Sequence, residues 1–171
     1  MDKIRGFEKI SLDQFQKDFK KYDFDNIDNE YSSIIFPKRA TLKSAGYDIY
    51  TLFDIELEPT EEIIVPTGIK AYMLDDEWLS IRVRSGHGFK FNIRIKNQVG
   101  VVDSDYYNNT KNEGHIFIAL KNEGEDKFSL KKGEAVAQAI FHKYLLADDD
   151  NVVNQVRKGG FGSTSMKGED I

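Results

Sequence analysis

The chain has 171 residues, 40% hydrophobic and 31% charged, the proportions of a soluble globular protein of one domain with a peripheral appendage. A formal net charge of −5 argues against a general nucleic-acid-binding face, so a polyanionic ligand would need a local cluster of arginine, backbone N–H groups or a metal ion. The absence of cysteine excludes disulfides and thiolate zinc sites, no apolar run is long enough to span a membrane, and Asp2, Lys3, Arg5 and Glu8 do not fit a signal peptide; the expected location is the cytoplasm.

In chain order, Ser11 followed by Gln14 has the spacing of a capping box, and Leu12, Phe15 and Phe19 recur at helical intervals. This predicts a short amphipathic helix over roughly residues 11–21, docked on the domain surface. The acidic stretch 23–28 is expected to be a linker, closing an N-terminal extension of residues 1–28. Beyond it, short β-patterned runs alternate with turn chemistry and predict an all-β barrel or sandwich over residues 29–156. The expected strands cover 33–37, 47–55, 62–67, 69–73, 78–84, 91–95, 98–102, 115–121, 126–130 and 135–144. Turns such as Glu58-Pro59-Thr60, Pro66-Thr67-Gly68 and Lys132-Gly133-Glu134 separate them. Residues 157–171, rich in glycine and hydroxyls, cannot build a core and are expected to be a flexible arm with Phe161 as its one anchor.

Four segments carry chemistry. Arg84-Ser85-Gly86-His87-Gly88 follows an apolar strand and reads as a loop in which a guanidinium, a hydroxyl and close-approaching backbone amides suit phosphate. It is not a nucleotide P-loop, because no Gly-Lys-Ser/Thr opens a helix. Asn97-Gln98-Val99-Gly100-Val101-Val102 reads as a buried strand that delivers Asp103, Asp105 and Tyr106 at its end. Asp103 is the candidate general base for orienting a water, and Tyr106 could lie flat against a sugar. Gly133 to Gln138 is a third polar cluster, and Arg157-Lys158-Gly159-Gly160-Phe161-Gly162-Ser163-Thr164 a fourth, suited to a triphosphate. His87, His115 and His142 have no metal-ligand spacing and read as surface or turn residues.

Taken together, Ala45-Gly46-Tyr47-Asp48-Ile49-Tyr50, Arg84-Ser85-Gly86, Gly100-Val101-Val102-Asp103-Ser104-Asp105-Tyr106, Gly133-Glu134-Ala135-Val136-Ala137-Gln138 and Gly160-Phe161-Gly162-Ser163-Thr164 resemble the five ordered motifs of the homotrimeric deoxyuridine triphosphatase family. The resemblance covers roughly residues 34–165. It implies a jelly-roll-like β fold, a homotrimer with active sites between subunits, and magnesium-assisted hydrolysis of dUTP to dUMP and pyrophosphate. By the same resemblance Asp103 orients the water that attacks the α-phosphate, and Tyr106 stacks under the deoxyribose. Asn97 and the backbone of Val101, Val102 and Asp103 pair with uracil in a hairpin pocket. Arg84, Ser85, Gly86 and Gln138 hold phosphates, with Asp48 nearby in an outer electrostatic role to the metal and to Arg84. In the arm, Phe161 caps uracil, Gly162, Ser163 and Thr164 reach the outer phosphates, and Arg157, or Lys158 in its place, meets the γ-phosphate. No protein side chain is expected to ligate magnesium directly, since phosphates and water hold it.

The chain departs from the family pattern in three places. Residues 107–113 intervene before Gly114 and lengthen the hairpin tip; Arg157 stands four residues before Phe161 rather than five; and residues 1–28 have no counterpart in the minimal pattern. A deoxycytidine triphosphate deaminase of the same fold is the alternative enzyme, but Asp103-Ser104-Asp105-Tyr106 matches the phosphohydrolase version. The extension and the longer hairpin would also suit a regulatory protein partner in addition to catalysis.

Overall fold

The computed structural model describes residues 3–150. Among these, twelve strands and three short helices fold into a jelly-roll-like β structure in which every paired strand runs antiparallel to its neighbour. One sheet has the order β2 (Lys38–Arg39), β3 (Tyr47–Tyr50), β12 (Ala135–Lys143), β7 (Glu77–Arg82), β9 (Gly100–Asp103). A second has the order β5 (Glu62–Pro66), β10 (Phe117–Asn122), β8 (Ile93–Ile95), and two ribbons pair β1 (Gly6–Lys9) with β6 (Ile69–Tyr72) and β11 (Phe128–Leu130) with β4 (Ile55–Leu57).

Period-two alternation decides which side chains enter the core. Along β7 Leu79 and Ile81 point inward, with Val102, Ala139 and Ala137 on their flanking strands, and Val65, Ile118, Leu120, Ile93 and Ile95 meet them from the second sheet. The opposite face of the five-stranded sheet carries Trp78, Ser80 and Arg82 with Val101, Asp103, Gln138, Ile140 and His142 beside them.

The N-terminal segment is built into this core. Helix α1 (Leu12–Asp18) is shorter than the expected 11–21, and Ser11 caps it by accepting from the Gln14 amide at 3.1 Å. The reciprocal arm of the capping box is not formed: the Ser11 amide donates to Glu113, and Gln14 donates to Asp18 at 2.8 Å. Phe15 and Phe19 stack at 4.1 Å and are fully buried, each burial contributing about 1.5–3 kcal/mol. The end of the stretch read as a linker becomes α2 (Ile27–Ser33), because Asn26 accepts from the Asn29 amide at 2.9 Å and Asp28 and Glu30 complement the positive end of the helix; the strand expected at 33–37 is not formed, residues 34–37 having no regular structure before β2. Residues 85–91, read as a loop and the start of a strand, form α3 (Ser85–Phe91), which ends at Asn92 in the left-handed region at φ 51°. Gly86 and Gly88 lower the intrinsic helix preference there, and packing of His87 against Phe128 overrides it.

Two of the histidines are core residues, contrary to the surface reading. His115 is fully buried; its Nδ1 lies 2.6 Å from an Asp18 carboxylate oxygen and its Nε2 accepts from the Gly68 amide at 2.8 Å. That partner set fits a neutral ring with its proton on Nδ1. Burial pushes the His115 imidazole below its ordinary value of 6.5, and Asp18 offsets only part of this. Burial opposes ionisation of Asp18, but hydrogen bonds from His115 and Gln14 hold it below the usual carboxylate range. His87 is also buried and depressed, first by burial and then by the Arg84 charge.

Both imidazoles bind protons more readily in the unfolded chain, so their contribution to stability is complete above 6.5 and is lost as pH falls through the lower folded values. The melting temperature should therefore drop between about pH 7.5 and 5. His115→Asn, which keeps a donor toward Asp18 but cannot be protonated, should melt lower at the upper end of that range and show a shallower slope. Thermal scans across the range check both, and an unchanged slope in the variant refutes the assignment.

Candidate functional site

The sheet gathers the expected phosphate residues at one end. Arg84 leaves the end of β7 as the N-cap of α3, and its Nε and Nη2 donate to the two carboxylate oxygens of Asp48 on β3 at 3.0 and 3.3 Å. Two parallel bonds hold the guanidinium plane fixed, which a single contact would not do. Gln138 lies opposite Asp48 on one side and Arg82 on the other, and its Nε2 donates to the Val83 carbonyl at 3.1 Å. A side chain at Gly46 would place its Cβ 2.3 Å from the Gln138 Oε1, so glycine there lets the amide keep its position.

The rest of the cluster faces outward. The Arg84 side chain is 39% exposed, while Asp48 beneath it is 17% exposed. Ser85 and Gly86 begin α3, where backbone N–H groups lack partners within the helix, and both are exposed or nearly so. Nothing lies within 4 Å of a Cβ placed on Gly86. Internal packing therefore does not demand a glycine at that position, and the open space admits a ligand close to the backbone. Behind it the His87 Nδ1 is buried with no hydrogen-bond partner among the described residues, and the ring stays neutral beside Arg84. Arg84 supplies positive charge here, partly balanced by Asp48.

The second cluster lies at the opposite end of the same strand. β9 pairs with β7 so that Asp103 faces Trp78 and Gly100 faces Ile81. Val102 is buried behind Leu79, whereas Val101 is 60% exposed, and Asp103 is half-buried at the strand end that opens a single 3-10 turn, Ser104–Tyr106. Among the described residues β9 is the last strand of its sheet, so one backbone edge bonds β7 and the other lies outside the ladder. Asn97 and Gln98 are exposed in a tight turn, with Gln98 at φ 61°. The expected hairpin is not a paired one: β8 belongs to the three-stranded sheet and β9 to the five-stranded sheet, leaving the arms open at the turn. The physical reason is the core, which draws Ile93 and Ile95 to one sheet and Val102 to the other.

Tyr106 is largely buried, and its hydroxyl donates to the His115 carbonyl at 2.9 Å while accepting from Asn112 Nδ2 at 2.8 Å. Residues 107–113, the departure from the family pattern, are a compact turn nucleated by Asn109 and Asn112. Their asparagine content was the available signal for this, since such side chains close local turns onto the backbone. The partnership of His115 with Asp18, distant in sequence, had no such signal.

The two clusters lie at opposite ends of β7. From Trp78, which pairs with Asp103, to Arg84 is six residues along β7 and its continuation, about 20 Å at the rise of an extended strand. A base must lie within hydrogen-bond reach of its substrate, or one water away. Asp48, Arg84, Ser85, Gly86 and Gln138 are thus brought together, and Asn97, Val101, Val102, Asp103 and Tyr106 form a separate group. Arg157, Lys158, Phe161, Gly162, Ser163 and Thr164 lie outside the described residues.

The dUTPase family model matches residues 32–165, which contain both clusters. The chain is 41% identical over 163 residues to the deoxyuridine 5'-triphosphate nucleotidohydrolase of Lactococcus lactis subsp. lactis, covering 95% of this chain and 98% of that one. Among solved structures, the dUTPase of Streptococcus mutans superposes with a TM-score of 0.65 at 38% identity, over 84% of this chain and 98% of its own. The dUTPase from phage phi11 of Staphylococcus aureus shares the fold at 16% identity, with a TM-score of 0.63 over 88% and 96% of the two chains. A family match over most of the length, joined to a relative at this identity, is decisive: the chain belongs to the dUTPase family.

Proposed function

We propose that the chain hydrolyses dUTP to dUMP and pyrophosphate at sites assembled between copies of itself. The observation that carries this reading is the register that pairs Asp103 with Trp78 at one end of β7 while Arg84 follows its other end, roughly 20 Å away at the rise of an extended strand. Residues from different protomers would bring both to one nucleotide more directly than opposite ends of one strand. The homotrimer implied by the family pattern supplies that arrangement. The face bearing Trp78, the exposed Val101 and Ile140 gives a neighbouring copy apolar surface to cover.

In this reading Arg84, Ser85, Gly86 and Gln138 of one protomer bind the phosphate oxygens, and Asp48 keeps the guanidinium in register. The edge of β9 from Val101 to Asp103 and the Asn97 side chain of another protomer take the uracil edge, where the backbone spacing rejects a 5-methyl group and the donor–acceptor order disfavours cytosine. Tyr106 lies under the deoxyribose. Asp103 orients a water onto the α-phosphorus and takes its proton as the bond to the bridging oxygen breaks and pyrophosphate leaves. Arg157, Phe161, Gly162, Ser163 and Thr164 close the site, with Arg157 or Lys158 at the γ-phosphate.

Magnesium fits this donor set as a passenger on the nucleotide. No group of three or more acidic or histidine side chains able to cage a metal occurs among the described residues, and Asp48 is engaged with Arg84. When bound, the ion would neutralise phosphate charge through phosphate oxygens and water. A mutant of the phage phi11 dUTPase is described as revealing the coordination of a structural Mg(II) ion, which supports a role for this metal without fixing its place here. No helix among the described residues is long and apolar enough to cross a membrane.

Incubation with each deoxynucleoside triphosphate and magnesium should convert dUTP alone to dUMP and pyrophosphate, without orthophosphate, by chromatography. Asp103→Asn should bind dUTP but turn over roughly 10²- to 10⁴-fold more slowly, the usual worth of a positioned base; undiminished turnover rejects the assignment. Mixing and reassembling Asp103→Asn with Arg84→Ala should restore on the order of a quarter of wild-type activity, because a closed oligomer of two variants regenerates some sites with both residues intact. Failure of mixed subunits to regain activity, with exchange shown by mass, contradicts a site shared between copies.

A further inference from the structure

The longer turn at 107–113 and the N-terminal segment converge on the ring of Tyr106. Asn109, itself buried, donates through Nδ2 to the Tyr106 carbonyl and to Asn112 Oδ1, both at 2.8 Å, and accepts from the Lys111 and Asn112 amides at 3.0 and 3.2 Å. Asn112 Oδ1 also accepts from the Gly114 amide at 3.2 Å, so its amide is turned with Nδ2 on the Tyr106 hydroxyl. Gly114 stands at φ +84°, and a Cβ there would lie 2.7 Å from the Tyr106 carbonyl oxygen. The hydroxyl's other partner, the His115 carbonyl, belongs to a residue held at both ring nitrogens by Asp18 and Gly68.

The N-terminal segment fastens the outer side of the same turn. The Ser11 amide donates to Glu113 at 2.9 Å and its hydroxyl at 2.5 Å, and the Tyr107 hydroxyl donates to Glu8 at 2.6 Å. Lys70 on β6 donates to Asn108 at 2.6 Å. Phe19 stacks on the His115 ring at 6.0 Å, which joins the end of the docked helix to the residue whose carbonyl accepts from Tyr106. A tyrosine buried for packing alone needs one partner for its hydroxyl. Here one bond comes from the turn and the other from a residue braced by the N-terminal helix, and together they fix the tilt of the ring.

We propose that Asn112 and Asp18 are positioning residues for sugar recognition: the turn and the N-terminal helix together hold the Tyr106 ring at the angle that leaves no room for a ribose 2′-hydroxyl. The inference rests on the proposed place of Tyr106 under the deoxyribose. Misplacement of a reacting group by as little as about 1 Å lowers rates far more than it lowers stability, so the effect is read in kinetics.

The test compares steady-state hydrolysis of dUTP and UTP by the full chain and its variants, with melting temperatures alongside. Asn112→Ala should raise KM for dUTP roughly three- to tenfold, the worth of one neutral hydrogen bond, and lower the dUTP-to-UTP preference in kcat/KM to a similar extent. In a Tyr106→Phe background, which lacks the hydroxyl, Asn112→Ala should change neither quantity further. Asp18→Asn, which retains an acceptor for His115 Nδ1, should keep the preference that Asp18→Ala loses. If Asp18→Ala fails to fold, the Asn112 and Tyr106 cycle decides alone. A lower melting temperature with unchanged KM and unchanged preference overturns the inference and leaves a structural brace. A wild-type chain that leaves dUTP intact overturns the functional reading itself, and this inference with it.

Discussion

The antiparallel ladder on β7 is the constraint from which the rest of the arrangement follows. Its backbone bonds set Trp78 against Asp103 and Arg82 against Gln138, and no side-chain choice can alter those pairings without shifting every residue to the wrong face. Leu79 and Ile81 would then leave the core. Burial therefore holds the register, and the register holds Asp103 and the Arg84 cluster at opposite ends of one strand. On the proposed reading, a site that draws on both is completed by another copy of the chain.

Rigidity is distributed unevenly around the two clusters. The phosphate end depends on one bidentate ion pair, partly exposed, whose contribution to stability is modest but whose geometry fixes the guanidinium plane. The end bearing Asp103 and Tyr106 is over-determined by contrast. Asparagine side chains, a glycine in the left-handed region, a buried histidine and an N-terminal helix all converge on Tyr106.

The N-terminal residues change character once folded. Fully buried Phe15 and Phe19 make them part of the core rather than an appendage, and β1 adds a strand to β6. Removing them would expose apolar surface and leave His115 without its acceptor. Their sequence pattern announced an amphipathic helix and nothing about what that helix would cover.

Local chemistry alone was enough to mark the β-rich class, the turn positions, the Ser11 cap and the segments bearing Arg84, Asp103 and Gln138, because alternation, turn residues and capping act over a few neighbours in the chain. It failed where packing outweighs propensity. Two glycines disguised α3, which His87 secures against Phe128, and an acidic run disguised the start of α2. Long-range partners were invisible for a different reason. Asp18 meets His115, and β8 parts from β9, only because the sheets close around a common core, and no interval in the sequence encodes that closure; the pairing of Asp48 with Arg84 was expected from the family resemblance alone.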